Sequence, residues 1–480
     1  MKRIFACLFS LWICILTNAQ TKEYYPDPDT AIQHRLEEWK DLKFGLLMHW
    51  GTYSQWGIVE SWSICPEDLG WAAWAWKKGV TDNYADYLKK YEALKTTFNP
   101  KKFNPEKWAA AAKYAGMKYM VFTTKHHDGF CMFDTKYTDY KITDKDCPFS
   151  TNPRSNVAKE VFSAFRNEGM WVGAYFSKPD WHSDYYWWKH FPPADRNPNY
   201  SIQKYPERWK QFTDYTHNQL NELVSDYGKL DILWLDGGWV RKKTEEEEVK
   251  ADLTEVYEGS RWARNPQSQD IDMPRLVKEV RQKQPKLIVV DRAVPGEQQN
   301  YLTPEQHIPD NGLPYPWETC MTMAGSWSYV PGDIYKPTNE LVEKLVDIVS
   351  KGGNFLLNIG PSPDGEYDDT AYTRLQQIGD WMKINSNAIY NTRMFTVFGE
   401  GDNIRFTQSK DGKTKFIFLF NFPQNKVTIT KMPFAKKATV QMLGSSAKIK
   451  WKDTGNGIEL SIPESLKKVT DHVWVLKVLE

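Results

Sequence analysis

Ile232-Leu233-Trp234-Leu235-Asp236-Gly237-Gly238-Trp239 is a short apolar run that ends on a carboxylate and two glycines. A helical stretch from about Pro206 to Tyr227 leads into it through Gly228, and a second helix, from about Met273 to Gln284, follows it. That helix leads in turn into Leu287-Ile288-Val289-Val290-Asp291-Arg292. Continuous apolar runs reached through helices are the pattern of a parallel sheet buried on both faces. The same unit recurs outward in both directions. Upstream, a helix around Ala31 to Asp41 precedes Phe44 to His49, and one capped by Asn104-Pro105 precedes Tyr119 to Thr124. The stripe Val157, Val161, Ala164 and Phe165 precedes Trp171 to Phe176. Downstream, Leu341 to Ser350 and Gly352-Gly353 precede Phe355 to Asn358.

About six such strands are countable, and what favours closing them into a barrel is where the polar residues fall. His49, His126, His127, Asp236, Asp291 and Arg292 stand at or just beyond strand C-termini, the face on which (β/α)8 barrels build their sites. An open doubly wound sheet also binds ligand there, but no glycine-rich phosphate loop follows the first strand. After about Tyr390 the helical period gives way to short alternating segments, from Asn403–Gln408 to Trp474–Val478, which read as an antiparallel β-sandwich. The expected organisation is a segment 1–19, a (β/α)8-like catalytic domain over 20–390 and a small β-domain over 391–480. Thr244 to Glu248 reads as a solvated loop or helix face.

Residues 1–19 have the form of an export signal: Lys2 and Arg3, an apolar run from Ile4 to Leu16, then the small-residue end Thr17-Asn18-Ala19. The run is too short for a permanent membrane span, and no later stretch is long and apolar enough for one. A mature chain beginning near Gln20 outside the cytoplasm, periplasmic or secreted, is the expectation. Lys and Arg number 62 against 61 Asp and Glu, a formal charge of +1 that offers nothing to a nucleic acid or an anionic membrane. Cys65, Cys131, Cys147 and Cys320 match no zinc spacing and read as buried thiols or one adventitious bridge. The 22 Trp, 25 Tyr and 23 Phe favour carbohydrate, whose apolar ring faces stack on aromatic platforms. The sequence carries no mark of oligomeric state.

Read as chemistry, Asp236 is a carboxylate on a rigid element, with backbone room beside it for a ligand. A retaining glycosidase needs such a group about 5–5.5 Å from a second carboxyl. To stay ionised it needs donors or a cation nearby, and Arg292 is a candidate. His49, His126 and His127 could instead bind zinc. Alternation of side chains along a strand argues against His126 and His127 sharing one ion, unless the strand ends there.

Six segments in order carry a family resemblance: Lys43-Phe44-Gly45-Leu46-Leu47-Met48-His49-Trp50-Gly51, Thr124-Lys125-His126-His127-Asp128-Gly129-Phe130, Leu233 to Trp239, Val290-Asp291-Arg292, Trp317-Glu318-Thr319-Cys320 and Gly353 to Pro361. The chain resembles the α-L-fucosidases of glycoside hydrolase family 29 from about residue 35 to 390, and the C-terminal β-domain fits as well. The resemblance implies a retaining exo-α-L-fucosidase acting on fucosylated oligosaccharides or glycoconjugates, with Asp236 as nucleophile and neither metal nor cofactor. By the same carry-over, His49, His126 and His127 hydrogen-bond sugar hydroxyls. Trp234, Arg292 and Trp327 line the sugar, Trp327 against its C5 methyl face, with Tyr175 a further contact. Glu60 and Trp62 resemble the family's Glu-Trp pair, here separated by Ser61. The acid/base residue holds no single position in this family. Glu297 resembles the position of bacterial members with a similar loop, and Glu305 and Glu318 are the alternatives. A metal-dependent barrel hydrolase and a non-catalytic glycan-binding protein are the rival readings.

Overall fold

The computed structural model describes residues 24–66, 79–252 and 267–480. The signal-like residues 1–19 lie outside the described residues. Seven parallel strands form one curled sheet in the order β5-β4-β3-β2-β1-β7-β6. They are β1 (Phe44–Met48), β2 (Tyr119–Lys125), β3 (Trp171–Ser177), β4 (Ile232–Asp236), β5 (Ile288–Asp291), β6 (Glu318–Thr322) and β7 (Asn354–Ile359). Helices connect most of them and cover the outer face, as expected for a (β/α)8-like barrel. β6 was not expected as a strand: Glu-Thr-Cys-Met-Thr has no apolar run to betray it, yet all five residues are buried.

The outermost strands, β5 and β6, are joined by an irregular stave in place of an eighth strand. Beyond β5 the chain turns back so that Gln299 bridges Val290 antiparallel, and it then runs parallel to β6, with Leu302 bridging Trp317 just before that strand and Glu305 bridging Cys320 within it. No periodicity marks this segment, which is why an eighth strand is not countable from sequence.

Strand parity sorts the side chains into two layers. Leu47, Tyr175, Ile232, Trp234, Val290, Cys320 and Leu356 pack together inside the barrel, whereas Leu46, Phe176, Leu233, Leu235, Val289 and Leu357 face the helices. The same parity carried on turns His49, Ser177, Asp236, Arg292 and Asn358 inward. Helix ends follow local chemistry. Asn104 caps its helix by accepting from the Lys107 N–H, with Pro105 in the first turn.

Eight further strands, β8 (Thr392–Glu400), β9 (Ile404–Ser409), β10 (Thr414–Leu419), β11 (Lys426–Ile429), β12 (Thr439–Met442), β13 (Lys448–Asp453), β14 (Ile458–Ser461) and β15 (Trp474–Leu479), form an antiparallel sheet in the order β11-β14-β13-β12-β15-β10-β9-β8. They enclose a core of their own that includes Phe406, Ile417, Leu460 and Leu476, the expected sandwich-like arrangement. β8 and β13 are additions to the segments read from sequence. All four described cysteines are free and buried, which removes the adventitious bridge. Among the described residues no helix is long and apolar enough to cross a membrane.

Candidate active site

A cavity of about 240 Å³ opens at the C-terminal end of the barrel strands. A larger groove of about 700 Å³ lies at the opposite end, among Lys229, Lys283 and Leu287, and none of the expected site residues line it.

Asp236, the last residue of β4, sits on the floor. Its Oδ2 accepts from the Tyr175 hydroxyl at 2.7 Å and its Oδ1 from Arg292 Nη1 at 2.9 Å. His127 Nε2 lies 3.9 Å from Oδ2. Burial alone would raise the pKa of this carboxyl. Arg292, the Tyr175 hydroxyl and the Gly237 N–H outweigh it, and hold the group well below the usual carboxylate range. Gly237 is required beside it: φ is +89°, and a Cβ there would come within 2.3 Å of Pro179 Cδ. Behind this strand end, on the helix side, Lys178 pairs with Asp291 and so ties β3 to β5 across the back of β4.

The three histidines converge on the cavity. β2 ends at Lys125 after a register slip past Thr123, so His126 and His127 are not strand residues and alternation does not separate them. Their ring centroids are 4.2 Å apart, and both rings reach the same space as Asp236. The alternation argument against a shared ion therefore fails, because the strand stops one residue too early. Donor atoms of His126, His127 and Asp236 indeed lie within 4.8 Å of one another. The electrostatics of the trio suit a sugar better than a cation, because Asp236 already serves Arg292, and a metal ion would sit against that guanidinium. Each ring is oriented by a buried partner on Nδ1: Asn358 Oδ1 for His49 (2.8 Å), Ser61 Oγ for His126 (2.5 Å) and Ser177 Oγ for His127 (2.7 Å). Burial keeps all three neutral, lowering His49 to about 4 and His127 to about 3. Ser61, the residue that interrupts the Glu-Trp pair, thus has a structural use.

Glu60 and Trp62 both line the cavity in spite of that interruption. Glu60 takes the left-handed backbone (φ +27°), and its Oε1 accepts from the Ser328 N–H at 2.8 Å. Burial pushes its carboxyl up to about 8, so it is a neutral acid at pH 7. Trp62 stands edge-on to His127, with centroids 4.9 Å apart. Trp234 stacks on Tyr175 at 5.3 Å and carries the Arg292 guanidinium over its ring at 5.2 Å. Trp327 forms the opposite wall, 5.2 Å from the His49 ring. Four lining residues were not among the expected ones: Leu47, Cys320, Arg196 and Trp239. Arg196 lies 5.3 Å from the rings of both Trp62 and Trp239. Trp239 was legible as part of the β4 motif, but Arg196 comes from a segment with no periodic signal.

The three acid/base candidates separate clearly. Glu297, the first of them, lies at the exposed tip of the turn that reverses the chain after β5 and does not line the cavity. Glu318 opens β6 in register with Asn354, at the closed N-terminal end of the barrel. There it is fully buried and accepts from the Tyr119 hydroxyl (2.6 Å) and Trp234 Nε1 (3.3 Å). Burial pushes it up to about 7, and it supports Trp234 from below. Glu305 lines the cavity and pairs with Arg292 Nη2, so one guanidinium holds Asp236 and Glu305 on its two amino groups. The Asp236 side chain is 15% exposed and that of Glu305 42%, which sets one on the floor and the other at the rim.

Comparison with known proteins agrees with this geometry. Residues 12–387 match the family model described as Alpha-L-fucosidase, and residues 400–479 match the Alpha-L-fucosidase C-terminal domain. The tissue alpha-L-fucosidase of Mus musculus is 28% identical over 95% of this chain and 94% of its own length. The human tissue alpha-L-fucosidase is 27% identical over 95% and 92%. Among solved structures, alpha-L-fucosidase isoenzyme 1 from Paenibacillus thiaminolyticus superposes with a TM-score of 0.73 at 28% identity, covering 94% of this chain and 99% of that one. The Thermotoga maritima alpha-fucosidase in complex with a mechanism-based inhibitor gives a TM-score of 0.72 at 26% identity, covering 95% and 100%. The chain belongs to the alpha-L-fucosidase family of glycoside hydrolases, family 29.

Proposed function

We propose that the protein is a retaining exo-α-L-fucosidase that releases terminal α-L-fucose from oligosaccharides or glycoconjugates, with Asp236 as nucleophile and Glu305 as acid/base. The observation that carries this reading is the single guanidinium of Arg292 shared by the two carboxylates. Two groups bound to one guanidinium stand close together, as the retaining mechanism needs.

The roles follow from position. A terminal sugar enters a closed pocket with its aglycone toward solvent, so the nucleophile belongs on the floor and the proton donor at the rim. Asp236, kept ionised by its donors, attacks the anomeric carbon and the glycosidic bond breaks. Glu305 gives its proton to the departing oxygen, and a fucosyl ester on Asp236 results. Glu305, now a carboxylate, takes a proton from water, which attacks the same carbon and frees α-L-fucose and Asp236. In the free site Arg292 pairs with Glu305, so acid catalysis requires the incoming aglycone oxygen to replace that contact. His49, His126, His127, Glu60, Trp62, Tyr175 and Trp234 would bind hydroxyls and ring faces, and Trp327 the C5 methyl group. Export through residues 1–19 to the periplasm or medium belongs to the same reading.

Proton NMR of the first-formed sugar from an aryl α-L-fucoside tests the mechanism: α-L-fucose should appear before mutarotation, and initial β-L-fucose would refute retention. The convergence of His126, His127 and Asp236 keeps one rival testable. Activity lost on exhaustive chelation and regained with zinc would transfer the site to a metal-dependent hydrolase.

A further inference from the structure

Asn358, near the end of β7, makes two side-chain hydrogen bonds that together leave it one orientation. Its Nδ2 donates to the backbone carbonyl of Trp327 at 2.6 Å, and its Oδ1 meets His49 Nδ1 at 2.8 Å. A carbonyl only accepts, so the amide nitrogen must face Trp327 and the amide oxygen must face His49. The His49 contact then requires the proton on Nδ1. A neutral imidazole carries one N–H, which leaves Nε2 a bare acceptor. The Asn358 backbone is held on both sides, in register with Leu47 of β1 and Thr322 of β6, and its side chain is fully buried. One rigid amide therefore joins a polar wall of the cavity to an apolar wall.

We propose that Asn358 is a positioning residue that sets sugar choice: it fixes His49 as an acceptor for a sugar hydroxyl and, with the same amide, holds Trp327 against the C5 methyl group. The inference rests on the proposed function, since it takes both walls to face fucose. Its consequence is selectivity for a 6-deoxy sugar. An α-L-galactoside puts a hydroxyl where the methyl group would meet the indole, and that hydroxyl finds no partner on an apolar face. Selectivity of this kind lasts only while the indole is held in place. Loosening Trp327 should erode it even though no residue touching the sugar has changed.

Asn358→Asp separates the two bonds. The carboxylate still accepts from His49 Nδ1–H, but it offers no proton to the Trp327 carbonyl. The ratio of kcat/KM for an aryl α-L-fucoside over the matching α-L-galactoside should fall about tenfold, mainly through a higher KM for the fucoside. Equal losses on both substrates, or an unchanged ratio, would overturn the proposal. A second measurement needs no variant of Asn358 to fold. In the ¹⁵N spectrum of histidine-labelled wild-type protein, with His49 assigned by His49→Gln, the ring should carry its proton on Nδ1; a proton on Nε2 would overturn the proposal. Trp327→Ala distinguishes the levels of failure. If that variant keeps the wild-type ratio, the proposal falls together with the sugar-facing reading of Trp327. If it loses the ratio while Asn358→Asp keeps it, the proposal falls alone.

Discussion

The two carboxylates of the site stand on opposite kinds of backbone. Asp236 ends β4, a regular strand paired on both sides, and its inward direction follows from the parity it shares with Ile232 and Trp234. Glu305 lies on the irregular stave between β5 and β6, held by isolated bridges and by Arg292. A rigid floor with a looser rim suits their proposed tasks. The nucleophile must not move relative to the anomeric carbon, whereas the acid/base must exchange a guanidinium for an aglycone oxygen and then for water.

The sharpest way to break that comparison is to remove each carboxyl in turn. Asp236→Gly should lower kcat/KM by roughly 10⁴-fold or more on every substrate, because no leaving group replaces a missing nucleophile. Glu305→Ala should cost roughly 10²–10⁴-fold on fucosylated oligosaccharides. It should largely spare the fucosylation step with a nitrophenyl fucoside, whose leaving group departs without a proton. Glu297→Ala should behave as wild type on both substrates. If Glu297→Ala shows the split behaviour and Glu305→Ala does not, the exposed turn rather than the stave carries the acid.

Arg292 is the link between the two backbones, and its removal should sharpen the contrast through pH. Without the cation the Asp236 pKa rises, so the proposed nucleophile is lost to protonation at a higher pH. The acid limb of the kcat/KM profile of Arg292→Met should therefore move upward by about 1–3 pH units. An unmoved limb would mean that Arg292 does not set the ionisation of Asp236.

The smallest expected effect concerns a third carboxyl, Glu60, on another irregular loop. Its folded pKa is raised to about 8 from an ordinary 4.5. Between those values the unfolded chain ionises while the folded group stays protonated, so stability declines as pH rises from about 4.5 to 8. Glu60→Gln cannot ionise, and its Tm should fall less than that of wild type from pH 5 to pH 8. Parallel Tm curves for the two proteins would show that Glu60 is ionised in the folded state.

What was legible in the sequence follows the same division. Six of the barrel strands, and Asp236, His49 and Arg292 at their ends, were readable because uninterrupted apolar runs after helices mark buried parallel strands. β6 was missed because its burial comes from polar and sulfur side chains, which carry no hydrophobic signature. The ordering of the acid candidates was the least legible feature. Glu297 and Glu305 are eight residues apart on a segment without period, and only the chain reversal after β5 separates an exposed tip from a cavity wall. Ser61 read as an interruption of a motif, because its use, a hydrogen bond to His126, joins residues 65 positions apart. Asn358 was visible inside a quoted motif, but its two partners come from a different strand end and a loop.

The direct test of the floor-and-rim account is the anomeric configuration of the product when azide rescues each variant. Azide on Asp236→Gly attacks the substrate once and should yield β-L-fucosyl azide. On Glu305→Ala it attacks the fucosyl ester of Asp236, a second inversion, and should yield α-L-fucosyl azide. The same anomer from both variants, or α-azide from Glu297→Ala with none from Glu305→Ala, would contradict the assignment of the two carboxylates.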